Sequence, residues 1–185
     1  PEFKTANGRI VYEGHGIQPD VKIEPEILST ITVHLYAQNM IFKYSNKFYR
    51  EHKTIASPEE FEITDEIYND FVNFVEEQDF SYTSESEKDF EELIKTAKLE
   101  GYYDNIKEQL DVLEKELRSH KDNDLINNKE EISEILKMEI VGRYYFQKGK
   151  IISSLKDDPE LNRAVEILLD SNGENEYENI LKGVN

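Results

Sequence analysis

The chain has 185 residues, 37% of them hydrophobic, with nine Phe and eleven Tyr, which is enough apolar material for a domain with a packed core. Forty Asp and Glu against 22 Lys and Arg give a formal net charge of −18, which argues against nucleic acid and anionic membranes as partners, because binding phosphates needs clustered cations. There is no cysteine, which removes disulfides, thiol nucleophiles and Cys-ligated zinc together, and no run approaches the ~20 apolar residues of a membrane-spanning helix.

The first predicted element is a β-hairpin. Phe3 to Thr5 and Arg9 to Tyr12 are strand-like, and Asn7-Gly8 is the preferred pair for a type I′ turn. Gly14-His15-Gly16 then makes a flexible corner, and Pro19 pushes Gln18 into an extended conformation. A lone two-stranded hairpin is marginal in water, so it is expected to pack on helices, pair with another chain, or belong to a larger sheet. The polar N-terminus does not read as a signal peptide. Opening on Pro-Glu-Phe without Met, the chain is expected to be a piece of a longer one.

Beyond Glu24-Pro25 the pattern is helical. Apolar residues from Ile27 to Tyr49 recur by threes and fours and predict one long helix over 26–52. Thr64 caps a helix from Asp65 to about Gln78. Ser84 and Glu87 form a capping box for a helix that ends before Gly101, which stands at the C′ position. Ile106, Leu110, Leu113 and Leu117 predict a helix over 103–120, and Lys121 to Asn128 is a polar break. Another helix is expected over 129–155, and Asp158-Pro159 opens a last one to about Leu169. The fold class is therefore mainly α: a bundle of about five to six helices with a short N-terminal β-hairpin. The expected division is residues 1–24, residues 25–170 and a disordered tail, 171–185.

No catalytic, cofactor-binding or metal-ligating set emerges. His15, His34, His52 and His120 lack a second ligand at metal spacing. Forty carboxylates give many chance pairs and select no general acid and base. There is no G-x-S-x-G, no phosphate-binding G-x-G-x-x-G and no EF-hand loop. One basic-aromatic cluster, Arg143-Tyr144-Tyr145-Phe146-Gln147-Lys148-Gly149-Lys150, leaves two readings open. It holds a carboxylate or peptide terminus, or its aromatics are core and its bases decorate a helix face. Three consecutive aromatics cannot all lie on one side of a helix.

Thr5, Gly8 and Arg9, followed by Gly14, Gly16, Ile17, Pro19 and Asp20, form a T-x-x-G-R strand and a G-x-G-I-x-P-D segment. In that order and spacing they resemble the end of the catalytic core in C-terminal processing peptidases, the tail-specific serine proteases. The helical remainder, with Ile55-Ala56-Ser57-Pro58 and the stretch from Arg143 to Gly149, is similar to the C-terminal extension of some of these enzymes. The resemblance implies a parent in which a PDZ domain presents substrate C-termini and a Ser-Lys dyad cuts them, both upstream of this sequence. It carries no catalytic residue into this chain and implies no cofactor. It gives the eight motif residues a structural role in closing the core, and it implies a periplasmic or envelope-associated parent. The expected partners are proteins or peptides: the protease core, substrate C-termini or adaptors, or a second copy through a hairpin-mediated dimer. The alternative is an independent acidic helical interaction module unrelated to a protease.

Overall fold

The computed structural model describes residues 2–182, apart from 7, 15, 17, 18, 171, 172 and 174, and leaves the side chain of residue 122 undescribed. The chain is mainly helical, with a two-stranded antiparallel hairpin at its start. Nine helices occur among the described residues, against the five to six expected. The chain resolves into two compact units, Ile27–Ser153, and Pro1–Glu26 with Ser154–Asn185.

In the larger unit the expected first helix is two, α1 (Thr30–Ala37) and α2 (Met40–Glu51). The break falls at Asn39, whose φ of 61° is left-handed, a conformation that asparagine tolerates better than most residues. Ser29 caps α1, and its backbone N–H and Oγ also donate to the Glu131 carboxylate at 3.0 and 2.8 Å. That carboxylate ties the start of α1 to the first turn of α7 (Lys129–Ser154). Thr64 caps α3 (Asp65–Glu76) as the sequence predicted.

The Ser84–Glu87 capping box is present at the start of α4 (Glu85–Leu99). At the other end Gly101 takes φ 78°, and the N–H groups of Tyr102 and Gly101 reach the carbonyls of Ala97 and Lys98. This is the Schellman geometry that the glycine announced. Helix α5 (Tyr103–Asp122) follows, and the polar break after it contains a short helix, α6 (Asp124–Asn127). Lys121, near the end of α5, ties it to the start of α4 by donating to the Glu87 carboxylate at 2.8 Å and to the Tyr82 carbonyl.

The core is built mainly from α1, α2, α3 and α7. Leu35, Ile41, Tyr44, Phe71, Ile132, Leu136, Ile140 and Val141 are all essentially inaccessible to solvent. Tyr44 spans this core, its ring edge-on to Phe71 at 5.2 Å and its single hydroxyl proton shared between Asp70 at 3.0 Å and the Ile67 carbonyl at 3.1 Å. A buried phenol needs such partners, because an unmatched hydroxyl would cost about 1–3 kcal/mol.

In the smaller unit, β1 (Glu2–Lys4) pairs with β2 (Ile10–Tyr12) in the register Phe3↔Val11. Asp158 caps α8 (Pro159–Leu168), with Oδ1 accepting from Leu161 N–H at 2.8 Å. Within the expected polar tail, Glu176–Lys182 forms α9, and Glu176 pairs with Arg163 at 2.5 Å.

Three carboxylates that link helices in the larger unit contribute to its acid sensitivity. Burial acts to raise Glu131, Glu87 and Asp70, but hydrogen bonds outweigh it and hold each below the ordinary carboxylate range. These bonds come from Thr32 and Ser29, from Lys121 and Ser84, and from Lys47 and Tyr44 respectively. A carboxyl lowered on folding contributes stability above its unfolded pKa and loses it as pH falls through the folded value. The melting temperature is therefore expected to hold from pH 7 to about 5 and to fall below about 4.5. Relief of the acidic chain's self-repulsion opposes this fall, so the informative comparison is with Glu131→Gln. That variant should melt lower at pH 7 and show a shallower acid slope. Parallel curves for the two proteins would exclude Glu131 as a source of the slope.

Candidate functional site

The N-terminal motif comes together as a local turn. Thr5 Oγ accepts from Arg9 N–H at 3.2 Å, and the Arg9 guanidinium pairs with the Asp20 carboxylate. Motif residues eleven positions apart in sequence are thus joined by charge. The turn differs from the type I′ pair predicted at Asn7-Gly8. Gly8 N–H reaches the Thr5 carbonyl, and Thr5 N–H reaches that of Arg9, so three residues close the hairpin. Gly8, at φ 84°, takes the left-handed position that a three-residue hairpin loop requires. The Asn7 half of the expected turn lies outside the described residues, as do His15, Ile17 and Gln18. Gly14 and Gly16 also have positive φ, and Pro19 is exposed.

The basic-aromatic cluster is where the structure departs most from the sequence. The helix expected over 129–155 breaks at Phe146, with φ 56° and ψ −158°. The chain turns back on itself there, so that Lys150 reaches Glu139 at 2.7 Å, and Arg143 reaches the same carboxylate at 2.9 Å. Gly149 permits the close return, since a Cβ at that position would stand 2.2 Å from Tyr145 Cβ. The three consecutive aromatics separate. The Tyr144 hydroxyl donates to the His52 carbonyl at 2.7 Å and that of Tyr145 to the Ile55 carbonyl at 3.3 Å, pinning the loop after α2. Burial pushes the Tyr144 hydroxyl above its ordinary range. Phe146 points outward and is 77% exposed.

This geometry answers both open readings in part. Tyr144 is a packing residue, whereas Phe146 is not core at all. The carboxylate held by Arg143 and Lys150 belongs to the chain itself, at Glu139. Facing the cluster, α2 contributes Phe42, whose ring lies under the Arg143 guanidinium at 4.4 Å, and Tyr49, whose ring meets Tyr144 at 4.8 Å. Sequence reasoning counted Phe42 and Tyr49 only among the apolar positions of a helix. Their period of seven was visible, but the element they would face was not.

Among the described residues, no group of three His, Cys, Asp or Glu is placed to hold a metal ion. His34 and His52 are packing residues, His52 stacked on Phe48 at 4.0 Å. Two open clefts, one along α5 beside Arg118 and one between residues 21–23 and α8 in the smaller unit, are lined mainly by charged and polar surface side chains. No helix among the described residues is long and apolar enough to cross a membrane.

A family model described as "Probable PDZ-protease, C-terminal helical domain" matches residues 31–168. The chain belongs to this family. The match covers α1 to α8 and favours the protease-related reading over an unrelated acidic module. No curated protein and no solved structure matches the chain. As a C-terminal helical domain of a PDZ-protease, it takes part in protein interactions in the general sense that such a domain implies.

Proposed function

We propose that this chain is the non-catalytic C-terminal region of a serine-type C-terminal processing endopeptidase, and that its helices dock substrates or adaptors for the protease core. The observation that carries this reading is a juxtaposition. The T-x-x-G-R and G-x-G-I-x-P-D residues, 5–20, stand directly before the family match that begins at residue 31. A core-closing motif followed by the helical domain is the order that the resemblance implies. The same resemblance supports a Ser-Lys dyad and a PDZ domain N-terminal to this region, and a periplasmic or envelope-associated parent.

Removing the helical domain from the parent protease tests the docking role. The expected result is a rise of about tenfold in KM for a protein substrate, with kcat on a short unstructured peptide unchanged. The isolated chain should leave that peptide intact. A proportional loss of kcat on both substrates would show that the helices complete the catalytic core, and docking would then be wrong.

The hairpin follows the same reading. Phe3, Ile10 and Tyr12 are each about half exposed or more, and among the described residues no third strand pairs with the outer edges of the hairpin. In the parent they pair with the core sheet. In the isolated chain a second copy supplies the edge, so light scattering should show a dimer that disappears on deleting residues 1–20. A monomer at millimolar concentration would refute this pairing.

A further inference from the structure

Within the Ile27–Ser153 unit, two segments that pack together through Phe42–Arg143 and Tyr49–Tyr144 reverse the sign of the chain. Residues 42–53 and 139–150 hold seven Lys and Arg against two Glu, in a chain of 40 acids and 22 bases. Both acids are occupied, Glu51 by Lys47 and Glu139 by Arg143 and Lys150, and among the described residues the one acid that reaches these segments from α3, Asp70, is paired with Lys47 at 2.7 Å. Lys43, Arg50 and Lys148 are exposed and make no ion pair among the described residues. The same segments present Phe42 and Tyr49, each half exposed and one above the other on α2, together with Phe146. Phe146 is the decisive residue. Its backbone lies in a region that only glycine enters without cost, and strain of that kind collects at functional sites. A turn selected for stability alone would carry glycine, whereas this one holds out an aromatic ring.

We propose that this surface docks an acidic polypeptide segment bearing apolar side chains. Its carboxylates meet Lys43, Arg50 and Lys148, and its apolar groups cover Phe42, Tyr49 and Phe146. Charge selects this occupant. A short acidic segment engages the basic patch within a Debye length of about 8 Å, whereas a nucleic acid or an anionic bilayer extends past it and meets the acidic remainder. The proposal rests on the docking function above and narrows it to one surface and one class of partner.

The test uses the full chain and a fluorescein-labelled peptide of about fifteen residues that alternates Glu pairs with Leu or Phe, alongside the same peptide with Lys in place of Glu. Anisotropy should show binding of the acidic peptide, weakened about fivefold or more between low and physiological salt, and no binding of the basic one. The triple variant Lys43→Glu, Arg50→Glu, Lys148→Glu should lose about tenfold or more in affinity. Phe146→Gly should bind several-fold more weakly while melting higher than the wild type, which separates lost contact from lost folding. Equal binding of both peptides, or affinity unchanged in the triple variant, overturns the proposal. So does binding of phosphatidylserine vesicles or single-stranded DNA without binding of the acidic peptide. If deleting the domain from the parent raises KM but these variants leave peptide binding intact, docking stands and this surface is not where it occurs.

Discussion

Replacing Phe71 with alanine should destabilise the helical unit by about 3–5 kcal/mol, the cost of emptying a fully enclosed aromatic site. Phe71 has no solvent exposure, and its ring stands edge-on to Tyr44 at 5.2 Å and near Tyr68 at 6.1 Å. Tyr44 and Tyr68 are held in place by hydroxyl bonds, Tyr44 to Asp70 and Ile67 and Tyr68 to the Leu125 carbonyl. They cannot collapse into the space without breaking those bonds, so the upper part of the range is expected. In thermal melts followed by circular dichroism this corresponds to a fall of roughly 10 °C or more. A shift of a degree or two would mean that the core is not organised around this ring.

The second large effect is expected at Gly149, where alanine adds one methyl group with nowhere to go. Its Cβ would lie 2.2 Å from Tyr145 Cβ and 3.2 Å from Val141 Cγ1. Tyr145 Cβ is fixed to the backbone of the preceding turn, so relief requires the segment after Phe146 to move. Overpacking of this kind costs about 1–3 kcal/mol. Shifting the segment also removes Lys150 from Glu139 and loosens the Tyr145 bond to the Ile55 carbonyl. Gly142 is the control. There the added Cβ would meet the far end of the Lys150 side chain, which can swing away, so Gly142→Ala should melt within a few degrees of the wild type. If the two variants melt alike, the chain does not return on itself at Phe146 as described.

The difference between those two glycines also marks what sequence could and could not supply. Local signals read directly. The Ser84–Glu87 box, the Thr64 and Asp158 caps and Gly101 each act on backbone groups within a few residues, so their identity and spacing suffice to place a helix end. The spacing of Leu35, Ile41, Tyr44 and Phe48 likewise marked a buried helical face. The break at Asn39 was missed because apolar periodicity continues across it, and one left-handed residue leaves no trace in such a pattern.

The candidate surface was legible only in its parts. Arg143 to Lys150 stood out as basic and aromatic, and three neighbouring aromatics forced the inference that they must diverge. Which one faces solvent depended on the reversal at Phe146, and that reversal depends on Gly149 lying against Tyr145. Phe42 and Tyr49 joined the cluster because α2 packs beside α7, a contact between residues about a hundred positions apart. Sequence alone thus determined the helical class, the capped helix ends at Thr64, Ser84, Gly101 and Asp158, and the acidic balance, since these follow from composition and from interactions a few residues long. Tertiary structure decided that Phe42 and Tyr49 of α2 face Arg143 and Tyr144 and that Phe146 is left exposed, because a surface is made by elements distant in the chain whose approach is set by packing.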